Sequence, residues 1–179
     1  MDKLIKEAQL AARDMNPYVD VLYNAAKYFK AGQDISILEI GVRRGTSTRA
    51  IMRGLKERIG DGHLYSIDKD DRSNVLKDKS NWTFLLGYSS SDPSREGYKN
   101  QEVEWDKPID ILFIDGDHSY EGVKSDYEKY EPFVRQGGLI FMHDVSHKHF
   151  GVKDFWKEIK HPKANLGFNS IGMGVVNKI

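Results

Sequence analysis

Short apolar segments alternate with amphipathic ones along most of this chain. Five of the apolar segments are bounded by polar or glycine-containing turns, which is typical of strands buried on both faces. The pattern predicts strands over Ile35–Ile40, His63–Asp68, Asn81–Gly87, Ile109–Asp115 and Leu139–His143. A turn is predicted at Gly137-Gly138, just before the fifth strand.

Apolar residues at helical spacing lie between these strands. Helices are predicted over residues 4–12, 17–32, 46–59, 120–130 and 152–160, and a closing hairpin over residues 168–177. In the third helix, Met52, Leu55 and Ile59 are expected to face inward. Because strands and helices alternate, the chain is predicted to be an α/β protein, with a mostly parallel sheet covered by helices on both faces.

In such sheets, ligands bind beyond the carboxyl ends of the strands. The first strand is followed by Gly41 and Gly45, which suit a sharp turn and a close approach to a ligand. Thr46 or Ser47 can cap the next helix, whose free amides suit a carboxylate or phosphate. The second strand ends at Asp68, which is placed to accept hydrogen bonds from ribose hydroxyls. The alternative for the glycine segment is a turn that only joins strand to helix. The alternative for Asp68 is that it caps the segment that follows.

Ionisable residues follow two further strands. Asp115-Gly116-Asp117-His118 comes after the fourth, and the fifth ends in His143-Asp144. Their carboxylates would repel one another at a shared sheet edge unless a cation joined them, and oxygen ligands favour Mg²⁺, Mn²⁺ or Ca²⁺ over Zn²⁺. His118 can serve as a base. The alternative is that these residues are only polar side chains of surface loops. His147 and His149, which follow closely, are expected to face solvent.

Composition limits the function classes. The 179 residues suit one domain, with residues 1–33 as a helical cap and residues 34–179 as the core. No cysteine is present, which excludes disulfides and thiolate chemistry, and 27 basic residues balance 27 acidic ones, so bulk nucleic-acid binding is not expected. Residues 1–10 lack a signal-peptide core and no stretch suits a membrane span, so a cytoplasmic protein is expected.

The glycine loop at 39–48 and the segment 113–145 together resemble class I S-adenosylmethionine-dependent methyltransferases. The second segment, FIDGDHSYEGVKSDYEKYEPFVRQGGLIFMHDV, is similar to a branch with macrolide sugar O-methyltransferases and cephalosporin hydroxylase-like proteins. The resemblance runs from about Val19 to the C-terminus. It implies a Rossmann-like three-layer α/β/α sandwich, in which N-terminal helices precede a seven-stranded, mostly parallel sheet with an antiparallel C-terminal hairpin strand.

The resemblance also implies a cofactor, a metal and a reaction. S-adenosylmethionine would be held by Glu39, Gly41, Arg43, Gly45, Thr46, Ser47, Asp68, Gly87, Ser89 and Asp115. Mg²⁺ or another divalent cation would be held by Asp115, His143 and Asp144, with His118 as general base. The implied reaction is O-methylation of a hydroxyl on a sugar or other small molecule, and a homo-oligomer is compatible with it.

Other functions share single motifs with this chain. Tyr120 and Lys124 match the YxxxK pair of short-chain dehydrogenases that use NAD(P). Asp115-Gly116-Asp117 matches the DxD of metal-dependent glycosyltransferases, and His143-Asp144 matches HD phosphohydrolases. A non-catalytic cofactor-binding domain is the fourth alternative. Residues 88–108 are long and polar, and we expect them to form a lid that faces the acceptor.

Overall fold

A computed structural model describes residues 15–90 and 101–179. The strands are β1 (Ile35–Ile40), β2 (Gly62–Asp68), β3 (Trp82–Leu86), β4 (Ile109–Ile114), β5 (Val134–His143), β6 (Lys163–Asn165) and β7 (Met173–Asn177). The α-helices are α1 (Val19–Tyr28), α2 (Thr46–Glu57), α3 (Tyr120–Tyr130) and α4 (Val152–Glu158), with 3₁₀ turns at Asn16–Tyr18 and Glu131–Phe133. The helix predicted over residues 4–12 lies outside the described residues.

The seven strands form one sheet in the order β3-β2-β1-β4-β5-β7-β6. Strands β1 to β5 pair in parallel, whereas β7 runs antiparallel to both β5 and β6. This arrangement confirms the predicted mostly parallel sheet with an antiparallel C-terminal hairpin. The strand order reverses between β1 and β4, and crevices for ligands form at such points in open α/β sheets.

Helices cover both faces of the sheet, as expected from buried strands that are largely apolar. On one face α1 and α2 pack on Ile37 and Phe113, and on the other α3 and α4 pack on Leu38 and Leu112. All six positions of β4 are buried, because it lies near the middle of the sheet. Within residues 15–90 and 101–179, no helix has the length and apolarity that a bilayer span requires.

Three local predictions were wrong. The predicted turn at Gly137-Gly138 lies inside β5, where the positive φ of Gly137 (76°) accommodates an irregular stretch of strand. Ile59 is 75% exposed because α2 ends at Glu57, so it does not face the core. The closing hairpin begins at β6, five residues before its predicted start, because Lys163–Asn165 pair with β7.

Helix α1 packs so closely on α2 that there is no room for a side chain at Gly54. A Cβ there would lie 2.4 Å from the carbonyl oxygen of Tyr23 and 2.7 Å from the Cβ of Ala26. Alanine normally stabilises a helix interior relative to glycine by about 0.5–1 kcal/mol. Gly54→Ala should nevertheless lower the free energy of unfolding by about 1–3 kcal/mol, because the two helices must separate.

Urea unfolding of the wild type and of Gly54→Ala measures this change. The control is Lys56→Ala in the same helix, whose ion pair with Asp78 is exposed and contributes little. Stability of Gly54→Ala equal to or above that of the wild type would contradict the tight packing.

Candidate active site

A cavity of about 980 Å³ opens at the carboxyl edge of the sheet, where β1 and β4 meet. Its walls come mainly from the loops that follow β1 to β5, from the start of α2 and from one side of α3. The predicted site residues in these walls are Gly41, Arg43, Thr46, Ser47, Asp68, Gly87, Ser89, Asp115, His118, His143 and Asp144. Glu39 and Gly45 are not among the lining residues. The fold therefore brings most of the predicted residues to one cavity.

Gly41 allows the loop after β1 to meet the loop after β4. Its φ is +89°, and a Cβ at this position would lie only 2.1 Å from the carbonyl oxygen of Asp115. The Asp115 amide in turn donates to Ile40 O at 2.9 Å. Position 41 thus requires glycine for two separate reasons, its backbone conformation and its close contact with Asp115.

Asp68 holds the turn of the same loop. Its Oδ2 accepts hydrogen bonds from the amides of Val42 and Arg43, both at 2.9 Å, and its Oδ1 accepts one from Asp70 N at 2.9 Å. Arg43 has a φ of +49°, which is strained for a residue with a side chain. The carboxylate satisfies the amides of this strained turn and still presents Oδ1 with acceptor capacity at the cavity wall.

Glu39 anchors the start of α2 from behind the wall. It is fully buried and accepts hydrogen bonds from the hydroxyls of Ser47 (2.5 Å), Thr48 (2.8 Å) and Ser66 (2.6 Å). Burial raises the pKa of Glu39 to about 7, although the three hydroxyls favour its charged form. In this structure Glu39 therefore fixes the elements that carry the cavity wall.

Two carboxylates and two imidazoles meet at the ends of β4 and β5. One ligand atom each of Asp115, His118 and Asp144 lies within 4.8 Å of the others. His118 Nε2 is 3.7 Å from Asp115 Oδ1, and His118 Nδ1 is 3.4 Å from Asp144 Oδ2. His143 Nδ1 lies 3.2 Å from Asp115 Oδ1 and 3.3 Å from Asp144 Oδ2. The sequence thus correctly predicted that these groups cluster.

His143 offsets the negative charge of this cluster. Burial disfavours its imidazolium form, but the hydrogen bonds and charges of Asp115 and Asp144 outweigh that effect and raise the pKa of His143 to about 10. Its Nε2 is buried and has no hydrogen-bond partner among the described residues. A protonated imidazole has no free lone pair at either nitrogen, so a metal would have to displace this proton for His143 to be a ligand.

The loop after β5 adds an aromatic wall beside His118. The ring of Phe150 lies 4.5 Å from that of His118, and the ring of His147 stacks on Phe150 at 3.9 Å. His147 lines the cavity, whereas His149 is exposed. His149 is therefore exposed as expected, whereas His147 is half-buried, stacks on Phe150 and contributes to the cavity wall.

Comparison with known proteins agrees with this geometry. The profile of a family described as "Methyltransferase domain" matches residues 38–145, which include the glycine loop, Asp68 and the whole ionisable cluster. The chain belongs to this methyltransferase domain family. Uncharacterized protein R132 of Acanthamoeba polyphaga mimivirus is 31% identical over 152 residues, which are 79% of this chain and 65% of that protein. The chain thus spans just under two thirds of that relative's length.

Solved structures share the fold of this methyltransferase domain. A Staphylococcus aureus protein, provisionally named a caffeoyl-CoA O-methyltransferase, has a TM-score of 0.72 at 16% identity, over 99% of this chain and 93% of its own. MycE methyltransferase from the mycinamycin biosynthetic pathway, in complex with Mg and SAH, has a TM-score of 0.59 at 18% identity. That match covers 92% of this chain and 49% of MycE.

Sequence reasoning missed a buried acidic residue in the cavity wall of this methyltransferase domain. Asp126 lies on α3, is 1% exposed and contributes to the cavity. A signal was present, since Asp126 is three residues after Val123 and four before Tyr130, on the apolar side of the predicted helix. A carboxylate on a buried helix face requires partners, which only the tertiary structure identifies.

The raised pKa of Glu39 predicts a pH-dependent stability difference in the domain. The pKa is about 7 in the folded protein against a usual 4.5, so the folded state binds this proton more tightly than the unfolded state. The resulting stabilisation is complete below pH 4.5 and is lost as pH rises through 7. Relative to Glu39→Gln, which does not titrate, the wild type should lose about 3 kcal/mol of stability between pH 4.5 and pH 8.

Urea unfolding of both proteins at pH 4.5 and pH 8 tests this difference. Glu128→Gln is the control, because it removes a carboxylate that is 64% exposed on α3. If the gap between the wild type and Glu39→Gln were the same at both pH values, the buried carboxyl would not have the raised pKa.

Proposed function

We propose that this domain transfers the methyl group of S-adenosylmethionine to a hydroxyl of a small molecule, with the help of a divalent cation. One observation carries the proposal: the glycine loop held by Asp68 and the cluster of Asp115, His118 and Asp144 face the same cavity. The first group suits a nucleoside with an attached amino acid, and the second suits an acceptor hydroxyl. A cavity of this volume is large enough to enclose both.

Support for the cofactor comes from the β1 loop and from family membership. The Asp68 carboxylate is assigned to the ribose hydroxyls, and the turn at Gly41 to the methionine portion, because both lie at the carboxyl end of adjacent strands. MycE, which shares the fold, binds SAH, the product that S-adenosylmethionine leaves after methyl transfer.

The donor set fits a hard divalent cation. Asp115 and Asp144 supply carboxylate oxygens and His118 supplies a nitrogen, a combination that suits Mg²⁺ or Mn²⁺. We assign the ion to Asp115 and Asp144, with His118 or the predicted ligand His143 completing the set. When bound, such an ion would lower the pKa of an acceptor hydroxyl and orient it.

His118 is assigned to the acceptor proton. Its side chain is 36% exposed at the cavity wall, and Phe150 packs against its ring. In the proposed reaction, the acceptor oxygen forms a bond to the methyl carbon while the carbon–sulfur bond breaks. The hydroxyl proton passes to an imidazole nitrogen of His118, and the sulfur leaves as a neutral thioether. If His118 instead ligates the ion, another base must accept this proton, and the variant below distinguishes the two roles.

A sugar or another small polyol is the acceptor class we favour. The segment from 113 to 145 carries the resemblance to sugar O-methyltransferases, and the MycE structures include one with mycinamycin VI. Adjacent hydroxyls of such a molecule can bind a cation together, which fits a cluster open on the cavity side.

The dehydrogenase alternative is not favoured. Tyr120 O–H donates to the Glu158 carboxylate at 2.9 Å, and neither Tyr120 nor Lys124 is among the residues that line the cavity. The YxxxK match therefore has no access to a ligand at the sheet edge.

Calorimetry with S-adenosylhomocysteine, with and without Mg²⁺, tests the cofactor assignment. Asp68→Asn should weaken binding about 10- to 100-fold, because it replaces a charged acceptor of the ribose hydroxyls. Asp71→Asn is the matched control, since Asp71 is an exposed acid that accepts from Ser73 N and does not line the cavity. Equal affinity in the wild type and Asp68→Asn would remove Asp68 from the cofactor site.

His118→Ala tests the proton acceptor once a screen of sugars, catechols and other polyols has identified a methyl acceptor. Turnover should fall about 10²- to 10⁴-fold, while affinity for S-adenosylhomocysteine changes little. Loss of Mg²⁺ or Mn²⁺ binding in the same variant would instead assign His118 to the ion. His161→Ala is the control, because His161 pairs with Glu131 outside the cavity. Full activity of His118→Ala would exclude both roles.

A further inference from the structure

Among the described residues, the imidazole of His118 is oriented by packing and not by a short hydrogen bond. Its nitrogens lie 3.7 Å from Asp115 Oδ1 and 3.4 Å from Asp144 Oδ2, and both distances exceed that of a usual N–H···O hydrogen bond. In many enzymes such a bond from one ring nitrogen orients the catalytic histidine. Here the ring of Phe150 lies 4.5 Å from that of His118 at an angle of 62°, an edge-to-face arrangement that aromatic pairs prefer.

The loop after β5 fixes Phe150 beside His118. Gly151 N donates to His118 O at 3.0 Å, so the backbone next to Phe150 is joined to the backbone of the histidine. Two turns lead to this point, in which His147 N donates to Asp144 O at 3.0 Å and Phe150 N donates to His147 O at 3.3 Å. The φ of Asp144 is +64°, a strained conformation that persists only where surrounding contacts determine it. The loop therefore has a defined conformation.

His147 in turn limits the movement of Phe150. The centroids of the two rings are 3.9 Å apart and their planes differ by 19°, so the imidazole of His147 covers one face of the phenyl ring. A parallel neighbour at this distance leaves little room for the phenyl ring to turn about its Cβ–Cγ bond. His118, Phe150 and His147 all line the cavity and form a continuous set of packed rings in its wall.

We propose that Phe150 is a positioning residue for His118. Its ring holds the imidazole so that a ring nitrogen faces the acceptor hydroxyl, and His147 keeps Phe150 in place. Because packing supplies the orientation, no short hydrogen bond to a described residue occupies a nitrogen of His118, and the acceptor proton can pass to it. This inference rests on the proposed function and adds to it the residue that orders the base.

Phe150→Leu removes the aromatic ring and keeps much of the apolar volume. With an acceptor identified by the screen of polyols, kcat should fall about 10- to 100-fold, because a small displacement of a reacting group has an effect of this size. The KM for the acceptor should stay within about two-fold of the wild-type value, as expected for a residue that acts only on the chemical step. Phe150→Tyr keeps the ring and should bring kcat back to within a few-fold of the wild type.

NMR spectroscopy tests the contact without an acceptor. The ring current of Phe150 shifts the signals of the His118 imidazole protons, and His118→Ala identifies these signals by their disappearance. They should move in Phe150→Leu and stay near their wild-type positions in Phe150→Tyr. His147→Ala should move them less than Phe150→Leu does, because His147 stacks on Phe150.

Phe133→Leu is the matched control for the loss of a phenyl ring. Phe133 is half-buried like Phe150, but it lies just before β5, at the opposite edge of the sheet from the cavity. This variant should leave both kcat and the His118 signals unchanged. Phe150→Met supplies the same measurements if Phe150→Leu does not fold.

The outcomes distinguish this inference from the proposed function. Full activity of His118→Ala would remove the base from the proposed function, and the inference would fail with it. If His118→Ala loses turnover but a folded Phe150→Leu keeps the wild-type kcat, or its His118 signals do not move, Phe150 does not position His118 although the proposed function stands. A raised KM with unchanged kcat would assign Phe150 to acceptor binding and would also overturn the positioning role.

Discussion

The contact between Gly41 and the carbonyl of Asp115 determines how the cavity is built. A Cβ at position 41 would overlap that carbonyl, so only glycine lets the loops after β1 and β4 lie side by side. Parallel pairing of these strands brings the two loops to the same edge, and the strand order reverses between them. The glycine loop and the ionisable cluster consequently face one space, although Gly41 and Asp115 are 74 positions apart in the chain.

Electrostatic compensation shapes the rest of this edge. Asp115 and Asp144 lie close enough to repel each other, and the imidazole of His143, whose pKa their charges raise, lies between them. Burial raises the pKa of Glu39, because the hydrogen bonds from its three hydroxyl partners offset only part of the desolvation. Among the described residues, Asp126 has hydroxyl donors on one oxygen only. Such arrangements reduce the stability of the fold, and groups of this kind are concentrated at functional sites in proteins.

Most of the fold was predictable because buried faces of strands and helices require apolar residues at regular spacing along the sequence. Buried strands such as Ile109–Ile114 are apolar almost throughout, and their alternation with helices specifies a layered parallel sheet. The errors came at boundaries. The end of α2 at Glu57 left Ile59 outside the core, and Gly137 serves an irregular strand instead of a turn. These outcomes depend on pairing between segments that are distant in the chain, and local sequence propensity carries no information about such pairing.

The sequence by itself determined the α/β architecture and the sheet edge at which the acids and histidines gather, because parallel strands place their carboxyl ends together. Only the tertiary structure decided how these groups satisfy one another. It gave His143 two carboxylate partners, turned His147 onto Phe150 and brought Ser89 to Asp126. Each of these contacts depends on how separate elements pack against one another. Spacing along the chain indicates only which face of its own element a residue occupies.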